Sequence, residues 1–156
     1  MKKRIILMLT LAFMVSLPFA EARNKCVGVK DMLESNKPIG LFANTAWDVF
    51  DAKDSFADWS ESELIFTEEK VQSKKVHLVG YFTWLADGEF YGCEKIKGIF
   101  RKETRVLTMK TIGVSTKKLS ASTYYKAKLS SDGNTLVGRW SGQNTTSGKW
   151  EASKID

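Results

Sequence analysis

Histidine is almost missing from this chain: His77 is the only one in 156 residues. A lone histidine excludes the two-His metal sites of facial-triad and zincin type. Cysteine occurs only at Cys26 and Cys93, with no Cys-x-x-Cys, which excludes thioredoxin-type redox chemistry and cysteine zinc clusters. Two prolines and 11 glycines exclude collagen-like and Pro-rich classes. No Gly-x-Ser-x-Gly, P-loop or dinucleotide fingerprint occurs. No cofactor and no metal are therefore expected, and the chain is not expected to be an enzyme. What is present is an apolar share of 43%, too high for a disordered tail, and a length that suits one domain.

Residues 1–22 read as an address. Met-Lys-Lys-Arg is followed by an apolar run from Ile5 to Leu17 and by Ala20-Glu21-Ala22. This is the n-region, h-region and Ala-x-Ala site of a secretory signal peptide, and the run is too short for the roughly 20 apolar residues of a membrane span. No later stretch is apolar enough to span, so no transmembrane segment is expected after signal removal. The basic start has a bacterial look, so a periplasmic or secreted protein is expected. In an oxidising compartment two cysteines pair by default. A Cys26–Cys93 disulfide would staple an N-terminal arm, residues 23–40, onto the body. Within that arm Val29–Glu34 fits one or two helical turns, ended by Asn36-Lys37-Pro38.

From residue 41 to 156 the chain reads as one β domain. Eight runs with strand character recur between turn signals. They are Thr45–Phe50, Glu63–Val71, Lys75–Leu85, Glu89–Arg101, Arg105–Ser115, Leu119–Leu129, Thr135–Gln143 and Lys149–Ile155. Val76, Leu78, Phe82 and Trp84 share one parity, and Leu119–Leu129 alternates throughout. Asp87-Gly88 and Asp132-Gly133 are strong hairpin signals. Short links favour antiparallel neighbours, and closing such a meander removes its edges. The expected fold is all-β: an eight-stranded antiparallel up-and-down barrel with a disulfide-tethered arm, the alternative being a β-sandwich.

With Trp47 in the first strand and the units Gly138-Arg139-Trp140 and Gly148-Lys149-Trp150, the chain resembles a calycin-type barrel, the group of lipocalins and avidin-like proteins. Lipocalins carry Gly-x-Trp in the first strand, where this chain has Thr45-Ala46-Trp47. They also carry an arginine near the last strands that packs on that tryptophan, a place Arg139 fits. The resemblance implies a barrel that holds a small hydrophobic molecule; the same architecture also hosts inhibitors and enzymes.

The inward parity offers Trp47, Phe82, Trp84, Tyr125 and Trp140 as a ligand lining; the plain alternative is that they fill the core. Glu94 joins them if Lys95 and Lys97 face water, and a carboxylate inside a barrel needs a partner or a proton. A bulge near Gly92 would instead turn Glu94 out. Charge is segregated. Eight acids between Asp48 and Glu69 face one base, Lys53, and ten bases between Lys95 and Lys128 face one acid, Glu103. Lys95, Lys97, Lys110, Lys126 and Lys128 would share one outer face, fit for an acidic protein or an anionic envelope component, or simply solvated. No nucleic-acid-binding motif is recognised. The acidic stretch Asp51–Glu61 lacks calcium-loop spacing and fits the wet face of a short helix over Phe56 and Trp59. Asn144-Thr145-Thr146 fits a turn. The functional expectation is an exported carrier or sensor of a small hydrophobic molecule, with a protein-binding module using the basic face as the alternative.

Overall fold

The computed structural model describes Leu33, Pro38, residues 40–142 and residues 147–155. Its eight strands are β1 Thr45–Lys53, β2 Ser62–Gln72, β3 Lys75–Ala86, β4 Glu89–Arg101, β5 Val106–Val114, β6 Thr123–Leu129, β7 Thr135–Gly142 and β8 Ser147–Lys154. Each pairs antiparallel with the next, and β8 returns to β1 from Trp47↔Lys154 to Lys53↔Lys149. That last pairing closes the barrel and removes the sandwich alternative. The connectivity is up-and-down, consistent with a calycin-like fold in general.

Alternation explains most of the register. Along β3 the side chains Val76, Leu78, Phe82 and Trp84 point in, and His77, Val79, Tyr81 and Thr83 lie between them, less buried. β6 alternates buried and exposed at every position. In β1 the register shifts between Val49 and Asp51, which leaves Phe50 51% exposed and returns Ala52 to the interior. The β3–β4 hairpin turns on Asp87 and Gly88, both at positive φ (50° and 82°), the type I′ geometry that Asp-Gly favours.

One end of the barrel is sealed. The turn before β1 lays Phe42 into the base, fully buried against Trp47, Phe66 and Phe100, with ring centroids 6.1, 5.1 and 5.1 Å away. The Glu69 carboxylate holds this turn by accepting from the backbone N–H of Phe42 (2.8 Å) and Ala43 (3.2 Å). Across the base the Arg105 guanidinium donates to the carbonyls of Leu129 and Ser130. The Trp47 indole N–H donates to Thr45 Oγ1 at 2.9 Å, so this buried donor is satisfied within its own strand.

Three expectations are corrected. The first is the disulfide-tethered arm. A bridge needs two sulfurs about 2 Å apart; among the described residues Cys93 is the sole cysteine, so no such pair occurs there. Cys26 lies outside them, as do the leader, all but two residues of 23–39, and Asn144-Thr145-Thr146. What the described residues show is the barrel itself, and the arm lies outside them. Second, Arg139 is exposed on the outer face of β7, so it does not pack on Trp47. Third, the sixth strand starts at Thr123 rather than Leu119. Residues 115–122 form a loop in which Leu119 N–H donates to Thr116 O (3.3 Å), and Leu119 turns in over the core.

Candidate functional site

Among the described residues the end opposite Phe42 is open. There the β1–β2, β3–β4 and β5–β6 links gather, and a cleft of about 340 Å³ descends between them into the barrel. Its inner wall comes from three strands: Trp84 of β3, Glu94 of β4, and Thr123 and Tyr125 of β6, with Trp140 of β7 beside them. Its outer wall comes from the loops and from Tyr91: Phe56 and Trp59, then Lys117, Lys118, Leu119 and Ser120.

The aromatic side chains form a connected set. Trp84 stacks on Phe82 beneath it at 4.6 Å between centroids and lies 6.5 Å from Trp140. Trp59 meets Trp84 edge-on at 5.9 Å and Tyr91 at 5.1 Å. Phe56 stacks on Trp59 at 5.8 Å and is 63% exposed, so it forms the lip. Lys118 Nζ sits 5.7 Å above the Tyr91 ring. The glycine of the second Gly-x-Trp unit has a local reason: Gly148 faces Trp140 across the β7–β8 ladder, and a Cβ there would collide with the Trp140 ring.

Glu94 is the polar centre of this wall. The bulge expected near Gly92 exists: Trp84 pairs with Gly92 and Leu85 with Phe90, which leaves Tyr91 as the extra residue. It lies on the turn side of Glu94, however. From Cys93 to Arg101 the ladder with β3 is unbroken, so Glu94 keeps the inward parity of Ile96 and Phe100 and is 2% exposed. The Tyr125 hydroxyl donates to its carboxylate. Burial pushes the Glu94 carboxyl up to about 7, while hydrogen bonds from Tyr125, Trp84 and Thr111 pull the other way. Burial, and then the neighbouring Glu94 charge, hold the Tyr125 hydroxyl well above its usual range, so it stays a donor. Near neutrality the floor of the cleft therefore presents a carboxyl able to accept a hydrogen bond or, protonated, to donate one. Below it Trp150 is fully buried, edge-on to Phe82 and Tyr125, and among the described residues its indole N–H has no acceptor.

Of the residues proposed as a lining, Trp84, Glu94, Tyr125 and Trp140 meet at the cleft. Trp47 and Phe82 do not: both are fully buried, Trp47 at the sealed base and Phe82 under Trp84. Phe56, Trp59 and Tyr91 were missed. The helix expected over the acidic stretch does not form; Asp54 Oδ1 accepts from Phe56 N–H (2.7 Å) and Ala57 N–H (3.0 Å), a tight local turn that brings both rings to the lip. Asp58 bonds Lys53 at 3.0 Å. Among the described residues no group of three or more His, Cys, Asp and Glu is gathered to hold a metal, and no helix is long and apolar enough to cross a membrane.

The outer lysines are placed as expected. Lys95 and Lys97 on β4, Lys110 on β5, and Lys126 and Lys128 on β6 are all exposed on adjacent strands. Lys97 pairs directly with Lys110, and Lys95 Nζ lies 5.7 Å over the Tyr81 ring. His77 lies on the barrel's outer side and lines a second hollow of about 580 Å³ with Glu68, Lys97 and Tyr124.

A closed up-and-down barrel, sealed at one end and open through aromatic walls at the other, is an architecture of the general kind that takes small molecules. Neither a scan against protein-family models nor a search of curated proteins finds a match to this chain.

Proposed function

We propose that this protein is an exported binding protein that carries or senses a small, mainly apolar molecule in the open-end cleft, and that it is not an enzyme. The observation that carries this reading is the cleft itself: aromatic walls around one buried carboxyl–hydroxyl pair, Glu94 and Tyr125. Ligand sites are typically apolar with a few convergent polar groups that fix orientation. Here Trp59, Trp84 and Trp140 offer ring faces, and the Glu94–Tyr125 pair offers the orienting group. Lipocalin-like kinship, periplasmic or secreted location, and the hydrophobic character of the ligand all belong to this reading.

Fluorescence titration with the apolar probe N-phenylnaphthylamine tests it. The probe is expected to bind with a saturable shift in tryptophan emission. Trp140→Ala should weaken that binding by about tenfold, equivalent to about 1.4 kcal/mol. Absence of saturable binding, or equal binding by the variant, would remove the cleft as the site. Native mass spectrometry of protein taken from its own compartment then reads the ligand as a discrete added mass.

A further inference from the structure

The second charged feature of this molecule lies on the outer wall of the barrel and reaches the lip only at Lys53. Strand pairing aligns cations that are far apart in sequence. Lys126 on β6 pairs with Arg139 on β7, Arg139 with Lys149 on β8, and Lys149 with Lys53 on β1. Lys97 on β4 pairs with Lys110 on β5, which sits one diagonal step from Lys126 because Thr108 and Tyr124 are the respective partners. One cation per strand thus winds over six consecutive strands, all of them exposed. Among the described residues Lys53 alone of the six forms an ion pair, with Asp58.

Like charges directly opposite across a ladder are destabilising. Three such contacts in succession, Lys126–Arg139–Lys149–Lys53, place a repulsive line where alternating signs would stabilise the sheet. Apart from the diagonal step from Lys110 to Lys126, the line crosses the strands directly, so its pitch along the wall is the strand spacing of about 4.8 Å. It also follows a convex wall, which a flat membrane touches over only a few strands. An extended acidic peptide repeats its same-side groups at about 6.7 Å, out of step with the line. A flexible sugar polymer with one acidic group per pyranose ring has a charge pitch close to the strand spacing and bends with the wall.

We infer that the Lys97–Lys110–Lys126–Arg139–Lys149–Lys53 track is a binding surface for a linear acidic polysaccharide bearing one carboxylate or sulfate per sugar. Such binding weakens steeply with salt, since the polymer's counterions are released on contact. It is independent of the cleft.

The test uses the full chain and immobilised polygalacturonate, with neutral dextran, oligothymidylate and phosphatidylglycerol vesicles alongside. The expected result is low-salt retention on polygalacturonate in preference to the other three. The variant Lys126→Glu/Arg139→Glu/Lys149→Glu should lose that retention, while Lys75→Glu, off the track, keeps it. A milder variant, Arg139→Gln, checked for an unchanged melting transition, should bind more weakly. Its slope of log affinity against log salt should be shallower by about 0.7, taking the value per charge of a single-stranded nucleic acid as the guide for a flexible polyanion. No retention of the wild type, undiminished retention of the triple variant, or preference for oligothymidylate or vesicles would each overturn the assignment.

Discussion

The two ends of this barrel are built from the same kinds of side chain and come out differently. At the base Phe42, Trp47, Phe66 and Phe100 meet ring to ring and are shut off from solvent. At the mouth Phe56, Trp59, Trp84, Tyr91 and Trp140 also touch, yet they enclose a cleft. Aromatic content does not separate the two. What separates them is a plug and a polar group. The base receives Phe42 from the turn before β1, and its backbone donors are taken up by Glu69. The mouth receives no such plug among the described residues, and its wall carries Glu94 with Tyr125. Filling one end and furnishing the other is how a small barrel has both a core and a cleft.

The contrast can be broken most severely at the base. Phe42→Ala should cost about 3–5 kcal/mol of unfolding free energy, the usual range for a fully buried phenylalanine, read by chemical denaturation. A loss below about 1 kcal/mol would mean that the base is not sealed by that ring. The next effect belongs to the mouth. Glu94 ionises near 4.5 when unfolded and near 7 in the fold. Between those values the folded state holds a proton that the unfolded state has lost, so stability falls as pH rises from about 4.5 to about 7, and levels off above. The fall is on the order of 3 kcal/mol, and Glu94→Gln should flatten it. A rise in stability across that window, beyond what the variant shows, would reverse the assignment. The smallest effect is expected at the lip: Phe56→Ala should change stability by less than about 0.5 kcal/mol, as at exposed sites, while weakening N-phenylnaphthylamine binding. Unchanged binding would place the lip outside the site.

Much of the wall was legible in the sequence because strand alternation is a local signal. Val76 to Trp84 and Thr123 to Leu129 point where their parity says. The orientation of Glu94 was not legible, since it depends on which side of it the extra residue falls, and the chain shows only that a glycine is near. Phe42 stands outside every periodic run, so nothing marks it as the base. Asp54 to Trp59 has helical spacing, but the Asp54 carboxylate binds two following N–H groups and fixes a turn instead. Half of the cationic track was visible as a lysine-rich region. Arg139 and Lys149 enter it only through pairing, which composition does not contain.

The closing seam between β1 and β8 has a kinetic consequence. Its partners, such as Trp47 and Lys154, or Ala46 and the Ile155 N–H that donates to its carbonyl at 2.9 Å, lie at opposite ends of the described barrel. A contact of such sequence separation forms late and slowly. As the chain is synthesised, β1 lacks its second partner until β8 emerges, so the closed state cannot be reached before all eight strands have been made. The seam thus sets the moment of closure: the barrel is complete only when its first and last strands meet.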